Sequence, residues 1–312
     1  MNFNEYSQHL KDANIPTLGM LAWYYVPDSA EIPHAELLQL VETSNAPIKA
    51  PQVPKPADVF RRACNNAKTL KARSSQPDVF FNYTMRDAGY DNGFVFRIMV
   101  EEKVDSKNHS LGFRTLGLVS FSKSGVVASY SKEIDDSDEA NVYWNSMRAK
   151  IDEYIRVKML YIPAIAVRES ARKALEVHLL GTRVRPGGGV YFVAIDKAEK
   201  LEALDYVINS VENSSFHILP LIDDSRQREM LKESFEDESV EEATRMISDI
   251  TELLKSDNHV PAKTFIAFQE RYNYQKLKMS EYSTLLNDAL DKSQAALDIC
   301  NAQIIALLDR AS

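Results

Sequence analysis

Glycine is scarce in this chain, ten residues in 312, and three of the ten stand together at Gly187, Gly188 and Gly189. Cysteine is scarcer: Cys64 and Cys300 lie far apart, neither in a Cys-x-x-Cys pair. That usage excludes a disulfide framework and fits a reducing compartment. No apolar run approaches the ~20 residues of a membrane span. The N-terminus, Met1-Asn-Phe-Asn-Glu-Tyr, lacks the basic and apolar regions of a secretion signal. A cytoplasmic protein without membrane contact is expected. The histidines His9, His34, His109, His178, His217 and His259 never reach metal-ligand spacing with one another or with a cysteine. No G-x-S-x-G, H-E-x-x-H or Cys–His signature is present. These absences leave no catalytic signature, no metal site built on histidine or cysteine, and no cofactor. Acids exceed bases to a net charge of −8, which disfavours non-specific attraction to nucleic acid or anionic lipid unless a local basic patch supplies it.

What the sequence does have is a centre, Arg183-Val-Arg-Pro-Gly-Gly-Gly-Val-Tyr-Phe-Val-Ala194. Val190 to Ile195 is a short β-branched and aromatic run after a turn signal, the pattern of a buried strand. Pro186 cannot continue a helix, and the glycines accept positive φ without steric cost. A phosphate-cradling loop follows a strand and opens a helix. Here the order is helix, glycines, strand, and no Gly-Lys-Ser/Thr follows, so a nucleotide loop is disfavoured. Arg183 and Arg185 flank a loop whose backbone can approach a ligand. Arg168 and Arg172, four apart on one helical face, can join them. The candidate ligand- or anion-binding set is Arg168, Arg172, Arg183, Arg185, Gly187, Gly188 and Gly189, suited to a phosphate or a partner's carboxylate. A tight turn with solvated arginines is the alternative.

Before this centre, a short helix over 3–13, a buried strand over Leu18–Val26 and a helix over Pro33–Val41 are expected. Pro47, Pro51, Pro54 and Pro56 make an extended connector. A helix over Ala57–Thr69 carries the most basic window, where Arg61 and Arg62 are candidate nucleic-acid contacts. Apolar runs at Val79–Met85, Phe94–Val100, Leu111–Phe121 and Val126–Tyr130, separated by tight turns, read as a three- or four-stranded antiparallel meander. The strand near Trp23 is a candidate fourth or fifth member. Residues 136–180 read as a long helix interrupted at Pro163.

After the centre, an amphipathic helix over Ala198–Val211 leads to a strand at Phe216–Ile222, with Pro220 favouring a sheet edge. That is long enough for a parallel crossover. Asp196, Asp223 and Asp224 fall just past the two strands, where paired acids can bind a divalent metal; Asp224 equally well caps the next helix. Ser225–Ser256 reads as one helix. A turn at Asn258–Pro261 leads into a second helix over Ala262–Ala311, ~75 Å long at 1.5 Å per residue. Its excess length leaves an apolar stripe, Leu286, Leu290, Leu297, Ile304 and Leu307, in need of cover from the chain's own β domain or another copy.

The fold class is thus α+β: an N-terminal antiparallel meander with helices (1–135), a long helix with a small βαβ unit (136–223), and a coiled-coil-like helical hairpin (224–312).

Arg185-Pro-Gly-Gly-Gly-Val-Tyr-Phe-Val193 is similar to an R-P-x-G-G-V-Y-F-V pattern of a poorly characterised family found in phages, plasmids and other mobile elements. Trp23-Tyr-Tyr-Val-Pro27 and Pro56-Ala-Asp-Val-Phe-Arg-Arg62 resemble that family's N-terminal landmarks. The pattern's final valine is usually followed by proline, whereas this chain has Ala194. The resemblance carries no activity and implies a mobile-element or antiviral-defence setting.

The expected function is a non-enzymatic assembly or adaptor protein, homo-oligomeric or bound to a partner protein through its C-terminal helices. The alternative is a nucleic-acid-binding accessory protein using Arg61, Arg62, Arg168, Arg172, Arg183 and Arg185. A metal-dependent enzyme on Asp196, Asp223 and Asp224 comes third.

Overall fold

The computed structural model describes residues 12–74, 76–125, 127–185, 187–255 and 260–311, the last three of these by backbone only. The expected helix over 3–13 falls almost wholly outside them, as do Pro186 and the first half of the Asn258–Pro261 turn. The chain is mixed α+β and divides into two compact units, each discontinuous in sequence. One comprises residues 1–30, 38–49 and 167–312; the other comprises 31–37 and 50–166. These are not the three consecutive segments suggested by the sequence, because the first strand pairs with strands encoded far downstream.

That strand, β1 (Thr17–Tyr25), is an inner strand of a four-stranded antiparallel sheet ordered β11-β1-β10-β9. Its neighbours are β10 (Tyr191–Ala194) and β11 (Ser215–Ile222), and β9 (Thr182–Arg183) lies beyond β10. The strand around Trp23 therefore does not join the meander. β10, α5 (Ala198–Asn209) and β11 do make a strand–helix–strand unit, but β1 lies between the two strands, so they are not paired neighbours. Pro220 sits in β11, an edge strand, where proline is tolerated.

Side chains alternate across this sheet. Met20, Ala22 and Val193 are buried on one face, and α5 lies against β1, β10 and β11 with Leu201, Leu204, Val207 and Ile208 buried. The other face places Leu21, Phe192 and Leu221 in a core with Leu231, Phe235, Tyr282 and Leu286 of the C-terminal helices.

Those helices are three, not two. α6 spans Ser225–Lys255, α7 Ala262–Leu286 and α8 Asp291–Ala311. The long helix breaks at Asn287, which takes the left-handed conformation (φ 51°) and bonds back to the Ser283 and Thr284 carbonyls. Asparagine tolerates this geometry better than most side chains, and it ends helices as glycine does. α8 then packs along α6. The α6 side chain Glu236 accepts a hydrogen bond from the Lys292 N–H at 3.1 Å, supplying a cap at the new N-terminus. Leu286, Leu290, Leu297, Ile304 and Leu307 are buried in this arrangement, so the expected overhang and its free interaction stripe do not exist.

In the second unit, β3 (Thr69–Arg73), β4 (Val79–Asp91), β5 (Phe94–Asp105), β6 (Ser110–Ser122) and β7 (Ala128–Lys132) form a five-stranded antiparallel meander, one strand more than expected. α2 (Pro56–Asn66) and α3 (Asn141–Leu160) share its core: Phe60 stacks on Phe121 at 4.9 Å, and Trp144 meets Tyr130 edge-on. Gly117 makes room for that indole, since a Cβ there would lie 2.6 Å from its ring. At Pro163 the expected interruption is a short strand, β8 (Tyr161–Pro163), paired with β2 (Glu31–Pro33). Two of the unit boundaries fall within helices, one in α1 (His34–Ser44) and one in α4 (Ala164–Lys173).

Candidate functional site

α4 continues into a π-helical turn over Ala174–His178, in which the Leu179 N–H bonds to the Ala174 carbonyl at 2.9 Å. Leu180 then adopts φ 52°, a conformation that bulky side chains avoid. The wide turn and the left-handed leucine leave carbonyls without helical partners. One stripe of α7 satisfies three of them. The Tyr274 hydroxyl donates to the Glu176 carbonyl, Lys278 Nζ to Gly181 at 2.8 Å, and the Tyr282 hydroxyl to Leu180 at 3.1 Å. These donors are four residues apart and so share a helix face.

The Glu176 side chain points back over the same turn. Its Oε1 accepts Arg183 Nε at 3.0 Å, Arg183 Nη2 at 2.5 Å and the Tyr191 hydroxyl at 3.1 Å. Its Oε2 accepts Arg172 Nη1 at 3.1 Å, and Arg172 gives Nη2 to Glu169 at 2.6 Å. Glu238 of α6 accepts the Arg183 backbone N–H at 3.2 Å and lies 3.3 Å from Lys278 Nζ. The Lys278 side chain is only 3% exposed. Burial holds its ammonium below the usual lysine range, with Glu238 pulling the other way. Burial likewise pushes the Tyr274 and Tyr191 phenols up, so both act as neutral donors.

A cleft of about 300 Å³ opens beside this network. The π-turn and β9 contribute Arg172, Glu176 and Arg183 to it. α6 and α7 contribute Glu238, Glu241, Glu242, Arg245, Arg271 and Lys278. Five cationic side chains line it with four carboxylates, and two of the arginines pair with further acids, Arg172 with Glu169 and Arg271 with Asp249, so the cleft carries no positive excess.

The structure brings together Arg172 and Arg183 but not the rest of the expected anion set. Arg168 ties down the end of β1, donating to the Val26 carbonyl at 2.8 Å and to Asp28 at 2.6 Å. Arg185, Gly187, Gly188 and Gly189 belong to a hairpin loop between β9 and β10, closed by Val184 N–H to Val190 carbonyl at 3.0 Å. Arg185 is exposed there. Gly187 has φ 70°, yet a Cβ at Gly187 or Gly189 would meet no atom. Backbone conformation, rather than close approach, explains glycine at Gly187.

Arg61 and Arg62 are exposed on α2, in the other unit, with Arg61 3.1 Å from Asp58. Asp196 pairs with Lys197 at 2.6 Å, and Asp223 holds Arg228 through both oxygens at 2.6 and 2.7 Å. Asp224 accepts the Gln227 N–H at 2.9 Å, the capping role open to it from sequence. Among the described residues, no group of three or more His, Cys, Asp or Glu side chains is placed to hold a metal ion.

Sequence reasoning missed Glu176, Glu238, Tyr274 and Lys278. A signal was present for Lys278: it stands four residues from a tyrosine on either side, within the stripe that a helix buries.

A family model covers residues 17–312, from the first residue of β1 through all of α8. The chain belongs to DUF6744, a family of unknown function. No curated protein and no solved structure matches it. Membership in DUF6744 bears out a poorly characterised family and brings no activity with it. Among the described residues, no helix of this DUF6744 chain is long and apolar enough to cross a membrane.

A second surface of the DUF6744 chain lies on the four-stranded sheet. The helix-covered face is buried at Phe192 and Leu221 and half-buried at Leu21, but open further along β1 and β11. There Trp23 stacks on His217 with ring centroids 5.2 Å apart and planes 29° apart. Cross-strand pairing places Trp23 opposite His217 and Leu21 opposite Leu219, so all four side chains project from one face. Trp23 is 38% exposed, Tyr25 60% and Leu219 47%.

Proposed function

We propose that this protein is a non-enzymatic assembly protein that acts in the cytoplasm, joining a second copy of itself through the open end of its four-stranded sheet. The observation carrying this reading is the Trp23–His217 stack, flanked by Tyr25 and Leu219 on a sheet face that the C-terminal helices cover only in part. Trp and Tyr are the residues whose burial most often dominates a protein interface, and apolar side chains grouped on one exposed face mark such contacts. The C-terminal helices no longer offer the contact expected of them, because their apolar stripe is spent on the chain's own core. A phage, plasmid or defence setting is proposed on the resemblance of Trp23–Pro27, Pro56–Arg62 and Arg185–Val193 alone.

Solution mass by light scattering after size exclusion tests the reading. The chain should elute at a multiple of its 35.3 kDa, and the double variant Trp23→Ala, Tyr25→Ala should elute as a monomer with unchanged circular dichroism. A wild-type monomer at tens of micromolar, or an oligomer indifferent to the double variant, would sink it. The nucleic-acid reading has less support, since Arg61, Arg168, Arg172 and Arg183 each already face a carboxylate. Absorbance at 260 and 280 nm in the same run detects bound nucleic acid.

A further inference from the structure

We infer that the end of α2 and the edge strand β3 form a contact surface for the phosphate backbone of a nucleic acid. This surface lies in the second unit; it goes beyond assembly through the four-stranded sheet and does not depend on it. From Arg62 to Arg73 the chain carries four cations, Arg62, Lys68, Lys71 and Arg73, and no acid, in a protein of net charge −8. All four are exposed. Arg61, Arg168, Arg172 and Arg183 each face a carboxylate, whereas among the described residues these four make no ion pair. The acids around them are held elsewhere: Asp58 by Arg61 at 3.1 Å, Glu101 by Arg114 at 2.8 Å and Glu102 by Arg86 at 3.6 Å. Even with Asp58 and Asp78 counted, residues 55–78 hold six bases against two acids, a net charge of +4.

The backbone at Lys71 is a second observation. Between Thr69 and Ala72, β3 carries one residue more than β4, a bulge. Lys71 lies in it with φ 54°, a left-handed conformation that costs a residue with a side chain about 1 kcal/mol or more. Asn82, 5% exposed, holds it there: its Oδ1 accepts the Lys71 N–H at 2.9 Å, and its Nδ2 donates to Asn108 at 3.1 Å. A buried polar bracket thus fixes the bulge, at which Leu70 and Lys71 are both exposed. A bulge with a lysine also guards an edge strand against pairing with another chain. That accounts for neither Arg62 nor Lys68, which precede the strand.

Composition selects the partner. Contacts between proteins have cores depleted of charge, whereas contacts with nucleic acid are polar and strongly positive. Within residues 62–73 the four cations are accompanied by the exposed amides Asn65 and Asn66, and Leu70 is the single exposed large apolar side chain. A helix that lies on a membrane needs a free apolar face. α2 has spent its own, with Val59, Phe60, Ala63 and Cys64 buried in the core of the meander.

The test is fluorescence anisotropy of the full chain with a labelled oligonucleotide, single-stranded and as its duplex, at salt from about 50 to 200 mM. At least one form should bind, and log K should fall against log salt with a slope of about −3 to −4, as four phosphate contacts require. The triple variant Arg62→Gln, Lys68→Gln, Arg73→Gln, which leaves the bulge intact, should keep its circular dichroism and lose about 2 to 3 of that slope. Arg185→Gln, exposed in the other unit, should bind as wild type does. No binding of either form at the lowest salt overturns the site. So does a triple variant that retains the wild-type slope, which would put the nucleic acid elsewhere. Tighter binding of polyglutamate than of either oligonucleotide overturns it in favour of an acidic protein, and binding of phosphatidylserine vesicles in place of both does so in favour of a membrane.

Discussion

Glu176 receives both Nε and Nη2 of Arg183 on one oxygen, at 3.0 and 2.5 Å, while its other oxygen holds Arg172. This carboxylate therefore joins the π-turn to β9 and also sets the orientation of two arginines in the cleft. Glu176→Gln keeps the shape and removes the charge. The Glu176 side chain is 19% exposed and that of Arg183 32%, so solvent screens part of the interaction. Urea unfolding should show a loss of about 1–2 kcal/mol. A cycle with Arg183→Gln should return a coupling of about 1 kcal/mol; strict additivity would refute the shared role.

Leu297 lies in α8 and is 1% exposed, although the sequence offered it as part of a free interaction stripe. Leu297→Ala removes core volume and should cost about 2–5 kcal/mol. Denaturation should detect that loss while the mass in solution stays as in wild type. A change of mass without a change of stability would return this stripe to an interface between copies.

Burial pushes the Cys64 thiol up to about 12 and also raises that of Cys300. A thiolate, not a thiol, attacks disulfide reagents. At pH 8 the folded chain should therefore release almost no colour from an aromatic disulfide reagent over minutes, and both thiols should react at once in concentrated guanidinium. Prompt reaction of a native thiol would contradict the packing around α2 or α8.

Arg114 donates to both oxygens of Asp138, Nη1 at 2.7 Å and Nη2 at 2.8 Å, and this holds the Asp138 carboxyl below its ordinary 3.8. A carboxyl whose folded pKa is depressed stabilises the fold at every pH above the unfolded value. That contribution is lost as the pH falls through the lower, folded value. Wild type should thus exceed Asp138→Asn in stability at pH 7, and the gap should close as the pH falls through the depressed, folded value of the carboxyl. A gap that widens on acidification would mean that the pair with Arg114 is not made.

Local patterns carried most of the elements. Alternation from Val79 to Tyr130 marked the meander, Pro220 marked an edge strand, and Asp224 marked the start of α6. Two features escaped for physical reasons. Asn287 gives no warning in a run of good helix formers, because its left-handed turn is stabilised by α8 packing back on α6, a long-range effect. The cleft escaped because its chemistry is pairwise across elements: Glu176, Glu238 and Lys278 look like ordinary surface charges until the π-turn brings them together. Arg172 and Arg183 were legible as one basic corner, but the carboxylate between them was not.

The position of β1 has a consequence for synthesis. Both of its neighbours, β10 and β11, are encoded beyond residue 190, roughly 165 residues later. At ribosomal speeds of about 5–20 residues per second, the strand is translated on the order of ten seconds or more before either neighbour exists. In that interval both of its backbone edges and the apolar Leu18–Ala22 segment are unpaired, while the meander of the second unit, encoded entirely by residue 132, has already been completed. The nascent chain thus carries a sticky, waiting strand, and its yield in cells depends on how well that strand is shielded until residue 222 has been made.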